Sequence, residues 1–255
     1  DNSIRIWSVD SGEEVQRMEG HSHWVKVCAY TPDGANLVSG GMDTAAKLWQ
    51  TASGNDLGWP AQPGGYVRDL DLSPDGDLVV LGVWSDDALQ LYETVNGRKL
   101  ERFPETPVSG NCVAFAPNGQ HIVAGFVTDN TIRLYDVSTG EVVREFPGHD
   151  DRPMSLSFAP DGRHFLSGSV DGTVRLWNVE TGEEVGRIDI YPTGGQLHEV
   201  AFSPDGTTCL TINLARAQLY EFPALLDSAA DPPVAALSTP QSLDPVDLPD
   251  GVSLL

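Results

Sequence analysis

Short apolar segments separated by polar turns recur along the whole chain, and within each segment apolar and polar positions alternate with the period of two that belongs to strands. Five tetrapeptides punctuate the pattern: Thr31-Pro32-Asp33-Gly34, Ser73-Pro74-Asp75-Gly76, Ala116-Pro117-Asn118-Gly119, Ala159-Pro160-Asp161-Gly162 and Ser203-Pro204-Asp205-Gly206. Their prolines step by 42, 43, 43 and 44 residues. Proline presets φ, and Asp-Gly or Asn-Gly takes the turn conformations that other residues resist, so each tetrapeptide predicts a tight reversal between two strands. The segment before each turn alternates toward an aromatic residue or Leu, as in Cys112-Val113-Ala114-Phe115, and the segment after it is short and apolar, as in His121-Ile122-Val123-Ala124-Gly125.

A third strand follows in each unit and ends on an aromatic residue: Trp7, Trp49, Tyr92, Tyr135, Trp177 and Tyr220, spaced 42, 43, 43, 42 and 43 apart. Five residues beyond the first five stand Gly12, Gly54, Gly97, Gly140 and Gly182, which close another hairpin onto a fourth strand. Each unit is thus a four-stranded antiparallel meander of about 43 residues, the length at which repeats build propeller blades. One such sheet cannot bury both of its faces, whereas neighbours stacked about an axis can.

The two ends depart from the period. Residues 1–18 supply only a third and fourth strand, full blades are expected over about 21–188, and a last unit over about 196–222 has three strands in register, with Leu225 where the closing Gly is due. Closing a ring from both ends needs two strands more, so the sequence is read as a piece of a longer protein with seven blades in full, or else as an irregular six-bladed ring. Residues 223–255 lose the register, carry five Asp and no Lys or Arg, and are expected to be an acidic, Pro-containing tail or linker. Within it Pro232–Leu237 is expected to lay a short strand on the last blade.

Composition narrows the partners. The chain has 15 Lys and Arg against 37 Asp and Glu, a net charge of -22, and such a surface repels phosphate backbones and anionic lipid. A protein or peptide partner is therefore expected, not nucleic acid or a membrane surface. Cys28, Cys112 and Cys209 are widely spaced with no C-x-x-C, which argues against a disulfide framework or zinc site. No apolar run approaches a membrane span, and a cytoplasmic location is expected. Cys28 and Cys209 align with apolar positions of other units and are expected in the core, while Cys112 aligns with Val27, Asp69, Ser155 and Glu199, which leaves its burial open.

Two polar sets recur at the same spacing: His21, Ser39, Asp43 and Trp49, and His149, Ser167, Asp171 and Trp177. Together with the Gly20-His21 and Gly148-His149 doublets, the Tyr135-Asp136 dipeptide and the Asp six residues before most of the aromatics (lost at Leu214), they make residues 1 to about 222 resemble a WD40-repeat β-propeller. The resemblance implies that each set of four is a buried hydrogen-bonded network tying loop to strands. Ser, His and Asp are also the types of a hydrolase triad, but no G-x-S-x-G elbow exposes either Ser, and four mutually satisfied polar groups are what a core tolerates. No catalytic residue, metal site or cofactor is expected; the His21-Ser22-His23 pair lacks a third ligand. Leu81 and Ala124 replace the Ser, so those two units are expected to rely on apolar packing.

The remaining candidates lie where the innermost strand of each unit begins. Positions eight and six residues before the turn prolines are Trp24, Tyr66, Ser109, Arg152 and Gln196, and Lys26, Arg68, Asn111, Met154 and His198; the position before the loop Asp adds Met42, Ser85, Thr128 and Val170. Similar positions in WD40 rings contact partners, and aromatics, Arg and Met are favoured as interface anchors. Trp24, Lys26, Met42, Tyr66, Arg68, Arg152, Met154 and His198 are the expected partner-binding residues. The function expected is a non-catalytic interaction scaffold; the alternatives are a propeller enzyme with a channel site and assembly through an open blade edge.

Overall fold

The computed structural model describes residues 1–104, 109–190, 197–213, 217–221 and 235–236. It is all-β, of the β-propeller class, with no helix among the described residues. Gln196, Leu214 and the tail outside Ala235–Ala236 lie outside the described residues. The chain divides into two compact units, Asp1–Ala124 with Tyr135–Glu141, and Gly125–Leu134 with Val142–Leu255.

The strands form six sheets, each antiparallel among consecutive strands, and five of them have three or more strands. The hairpin of β1 (Ile4–Trp7) and β2 (Glu14–Met18) stands first. The next sheet is β3 (Val25–Tyr30), β4 (Asn36–Gly41) and β5 (Ala46–Gln50), followed by β6 (Tyr66–Leu72), β7 (Leu78–Trp84), β8 (Leu89–Glu93) and β9 (Lys99–Leu100). A further four-stranded sheet comprises β10 (Gly110–Phe115), β11 (His121–Phe126), β12 (Ile132–Asp136) and β13 (Val142–Phe146). Then come β14 (Pro153–Phe158), β15 (His164–Ser169), β16 (Thr173–Asn178) and β17 (Glu184–Asp189), joined by β21 (Ala235–Ala236), and finally β18 (Leu197–Phe202), β19 (Thr208–Asn213) and β20 (Ala217–Glu221).

The turn chemistry explains the punctuation. In the Ser73 turn, Ser73 Oγ donates to Asp75 Oδ1 at 2.5 Å and accepts the Leu78 N–H at 2.9 Å, and Thr31 does the same with Asp33 and Asn36. The fourth turn residue takes the left-handed conformation that glycine tolerates, with φ 78° at Gly76.

Cores form between adjacent sheets. In the first unit Val38 and Leu48 of one sheet pack with Val67, Leu70, Val79 and Leu81 of the next. In the second, Leu166, Val174 and Leu176 pack with Leu197, Val200, Cys209 and Tyr220. Side chains also staple the inner edges together. Asp69 Oδ2 accepts the Val113 N–H at 2.9 Å and Asp71 Oδ2 the Phe115 N–H at 2.8 Å, both on β10. In the second unit Ser155 Oγ accepts the Val200 N–H at 3.1 Å and Ser157 Oγ the Phe202 N–H at 3.0 Å, on β18. β10 and β18 are terminal strands of their sheets, so these bonds tie an edge strand to the neighbouring sheet through its backbone.

Four expectations need correction. The sheet after the β1–β2 hairpin has three strands, not four: past Gly54 the chain reads Asn55-Asp56-Leu57-Gly58-Trp59-Pro60, and only a lone bridge joins Trp49 to Asp56 before Gly58 turns at φ 69°. Proline and glycine there leave Trp59 to pack on Tyr92 instead. Cys28 is exposed, although Cys209 and Cys112 are buried. Its equivalents Leu70, Val113, Leu156 and Val200 are buried, Leu70 and Val200 against the preceding sheet, whereas the β1–β2 hairpin covers Leu37, Trp49 and Val25 and leaves Cys28 open. The short strand of the tail pairs with β17, in parallel, rather than with β18–β20. The Leu81 unit is not held by apolar packing alone, as the next section describes.

Candidate interaction site

The two sets of four close into matching networks. Trp49 Nε1 donates to Ser39 Oγ at 2.8 Å, Ser39 Oγ meets His21 Nε2 at 2.7 Å, and His21 Nδ1 meets Asp43 Oδ2 at 2.8 Å. The corresponding distances from Trp177 through Ser167 and His149 to Asp171 are 2.7, 2.6 and 2.8 Å. Asp43 and Asp171 also accept the backbone N–H of Ser22 and Asp150, pinning the loop before each inner strand. Gly20 and Gly148 adopt φ 153°, and a Cβ there would press on the Trp49 and Trp177 rings, which is why the doublet begins with glycine.

Electrostatics follow from this packing. Burial drives the His149 imidazole below its ordinary value, against the pull of Asp171. Burial would raise the Asp171 carboxyl, but hydrogen bonding from His149, the His149 charge and Thr173 outweigh it and hold the group well below the usual carboxylate range. Arg175, itself buried, adds an ion pair to Glu184 at 2.9 Å.

In the Leu81 unit a different network fills the space. Tyr92 Oη donates to Gln90 Oε1 at 2.6 Å, and Gln90 Nε2 donates to the Pro63 carbonyl at 2.8 Å and the Asp87 carbonyl at 3.0 Å. Gln218 and Tyr220 repeat the pair at 3.3 Å. The sequence signal is Gln two residues before Tyr, where the other units carry Lys or Arg.

Among the expected partner-binding residues, the structure brings Tyr66 and Arg68 together around a third residue, Trp84. The Tyr66 and Trp84 rings meet edge to face with centroids 6.2 Å apart, and the Arg68 guanidinium lies 5.6 Å over the Trp84 ring. Arg68 Nε donates to Asn111 Oδ1 at 3.2 Å, which fixes its plane. Tyr66 is 40% and Trp84 52% exposed. Just before β3, which packs against β6, Trp24 is 62% exposed; on β3 Lys26 is exposed, and the half-buried Met42 donates its N–H to the Trp24 carbonyl at 2.9 Å. Trp84 escaped the sequence reading because the turn after β7 is one residue longer than the one after β4: counting back from the loop Asp lands on Ser85, while strand register places Trp84 opposite Tyr66.

The remaining candidates, Arg152, Met154 and His198, belong to the second unit and are all partly buried. Arg152 Nε and His198 Nε2 are buried atoms without a hydrogen-bond partner among the described residues. No cluster of three metal-ligating side chains occurs among the described residues.

The WD domain, G-beta repeat model matches this chain at residues 12–50, 99–136 and 140–178. A guanine nucleotide-binding protein subunit beta of Oryza sativa subsp. indica is 28% identical over 213 residues, which is 81% of this chain and 46% of that protein. A periodic tryptophan protein 2 homolog of Neurospora crassa is 30% identical over 103 residues, 38% of this chain and 12% of that protein. The small ribosomal subunit protein RACK1y of Oryza sativa subsp. japonica is 31% identical over 75 residues, 29% and 22% of the two chains. The chain spans less than half the length of each.

Proposed function

We propose, from the premise that this chain is a WD-repeat protein, that it is a non-catalytic interaction module which presents the Tyr66–Arg68–Trp84 cluster, with Trp24 beside it, to a protein or peptide partner. One observation carries the reading. Three large aromatics stand exposed just before β3, at the start of β6 and at the end of β7, the last of them under a guanidinium held by a buried Asn. Exposed aromatic and Arg groups on a fixed framework are the usual anchors of an interface.

The non-catalytic part rests on the fate of the hydroxyls. Ser39 and Ser167 are fully buried, and each is already engaged by a Trp N–H and a His ring, so neither is free to attack a substrate. A protein partner also suits a surface of net charge -22 better than phosphate-rich ligands do.

The test compares Tyr66→Ala with Trp84→Ala in one chain against the unmodified protein, in capture of partner proteins and in thermal melting. Loss of capture by more than about tenfold at an unchanged Tm is expected, since truncating paired anchors removes roughly 2 kcal/mol or more. Undiminished capture would remove this face from consideration.

A further inference from the structure

The fifth strand of the β14–β17 sheet is out of pattern. Among the described residues every other pairing between strands follows the antiparallel meander, but β21 joins β17 in parallel, with Gly186 opposite Ala235 and Arg187 opposite Ala236. The segment comes from beyond the repeats, and it joins a strand that is otherwise the terminal strand of its sheet.

Sequence at both sides fits this contact. In strand β13, the outermost of its own sheet, the four residues from Val142 are Val-Val-Arg-Glu, and Arg144 stands four residues past the hairpin glycine Gly140. In β17 the residue four past Gly182 is Gly186, so the edge has no side chain at the point where Ala235 arrives. A bare glycine lets a second backbone come close, whereas a charged side chain on an edge deters one. The arriving residues, Ala235 and Ala236, are small, and two prolines precede them at 232 and 233. Proline cannot donate to a ladder, which limits how far the paired run extends toward the repeats.

Two paired residues make a weak hold, and they are tethered to Glu221 by only a short stretch of chain. A tether of that length gives an effective concentration in the millimolar range, enough to keep a weak contact formed in cis. We propose that the outer edge of β17 is a strand-addition site for an extended, small-residue peptide segment of a partner protein, held in cis by Ala235–Ala236 until that partner displaces it. Main-chain pairing supplies the affinity, and the glycine at 186 selects small side chains at the opposing position. The site is separate from the aromatic cluster and stands or falls without it.

The experiment uses the whole chain carrying Ala235→Pro and Ala236→Pro, which removes the N–H groups of β21 and leaves strands β14–β17 unaltered. Backbone exchange at Arg187, whose N–H points away from β16, is followed by mass spectrometry or NMR, with the synthetic peptide Pro-Pro-Val-Ala-Ala-Leu, blocked at both ends, as the probe. Exchange at that amide is expected to rise at least tenfold in the variant at an unchanged Tm, with Gly186 and Ile188 unchanged, and saturating peptide is expected to restore protection. The unmodified chain is expected to bind the same peptide at least tenfold more weakly, because its own segment competes. Unchanged exchange in the variant, or equal peptide affinity in the two chains, overturns the proposal. Gly186→Val in the unmodified chain gives an independent reading: it is expected to raise exchange at Arg187 while leaving the amides of β16 protected, and protection retained at Arg187 overturns the role of the glycine.

Discussion

The carboxylate of Asp71 reaches out of its own sheet to the backbone N–H of Phe115, 2.8 Å away on the neighbouring one, while its other oxygen takes the N–H of Leu72 at 2.8 Å. A charged group is thereby placed between two packed sheets. Burial pushes its acid constant up to about 6, and the two N–H donors offset only part of that.

A folded-state value above the unfolded one, roughly 3.9, means the unfolded chain gives up this proton first as pH rises. The contribution to stability is therefore fully present below about pH 4 and is lost as pH climbs through 6. Asp71→Asn keeps an acceptor for Phe115 and removes the titration. At pH 7.5 it is expected to be more stable than the unmodified chain by about 1–3 kcal/mol, the shift converted at about 1.4 kcal/mol per pH unit and reduced for partial exposure. At pH 4 the two are expected to coincide. Denaturant melts at both pH values check this, and equal stability at pH 7.5 would sink it.

The buried networks titrate with the opposite sign. Asp171 is held below its unfolded value and His149 is held below its own, so both contribute stability that is present at neutral pH and lost on acidification. The His149 part fades below about pH 6.5 and the Asp171 part below about pH 4. Asp171→Asn is expected to flatten the acid limb of the stability profile while costing about 1–3 kcal/mol at pH 7, since the His149 ring then loses its charged acceptor. An acid limb of unchanged slope would show that the set does not titrate as a unit.

Trp177→Phe tests the far end of the same network. The substitution removes the N–H that meets Ser167 Oγ at 2.7 Å together with the pyrrole part of the buried indole, so a lost hydrogen bond and a cavity add. The expected cost is about 2–4 kcal/mol, with a similar value for Trp49→Phe, because the Trp–Ser–His–Asp paths of the two networks match. Costs that differ by more than about 1.5 kcal/mol would mean that the two sites are not equivalent.

Much of this was legible before any coordinates. Turn tetrapeptides and aromatic strand ends specify the register because each reports a backbone requirement that only a few residues meet. The His, Ser, Asp and Trp sets were legible because their spacing recurs. Trp84 was hidden by a one-residue loop insertion, since counting from a loop residue fails once loop lengths differ. The stapling role of Asp69, Asp71, Ser155 and Ser157 was hidden for another reason: alignment grouped Asp69 and Ser155 with Val27 and Cys112, and nothing in one sequence says that a side chain reaches the backbone of a neighbouring sheet. The exposure of Cys28 depends on which sheet precedes it, and a repeat pattern treats all units alike.

Gln90 makes a further prediction, because it does in one unit what Ser does in two others. Its amide joins the Tyr92 hydroxyl to two carbonyls that lie in different loops. Gln90→Leu keeps the volume but orphans all three groups, and an expected cost of about 2–4 kcal/mol follows from the desolvation of buried polar atoms. Tyr92→Phe removes one partner only and is expected to cost about 1 kcal/mol. If the Leu variant were as stable as the unmodified chain, the unit would be held by apolar contacts after all.

The three thiols separate by the sheet that lies in front of each. Cys209 is fully buried among Leu176, Val200 and Tyr220, and burial pushes its thiol up to about 12, so almost no thiolate forms near neutral pH. Cys112 is equally enclosed on β10. Cys28 and its neighbour Tyr30, 47% exposed, instead look out past the β1–β2 hairpin, which reaches Leu37 and Trp49 but not the middle of β3. A thiol reagent is therefore expected to modify Cys28 alone in the native chain at pH 8, and Cys112 and Cys209 only once denaturant has opened the sheets. Peptide mapping after partial labelling distinguishes the three. Cys28→Ser is expected to leave Tm within about 1 °C, because an exposed position carries little packing energy. Cys209→Ser is expected to lower stability by about 1–3 kcal/mol by placing a hydroxyl without a partner in an apolar core. Native-state labelling of Cys209 as fast as that of Cys28 would mean that the two sheets around it do not stay closed.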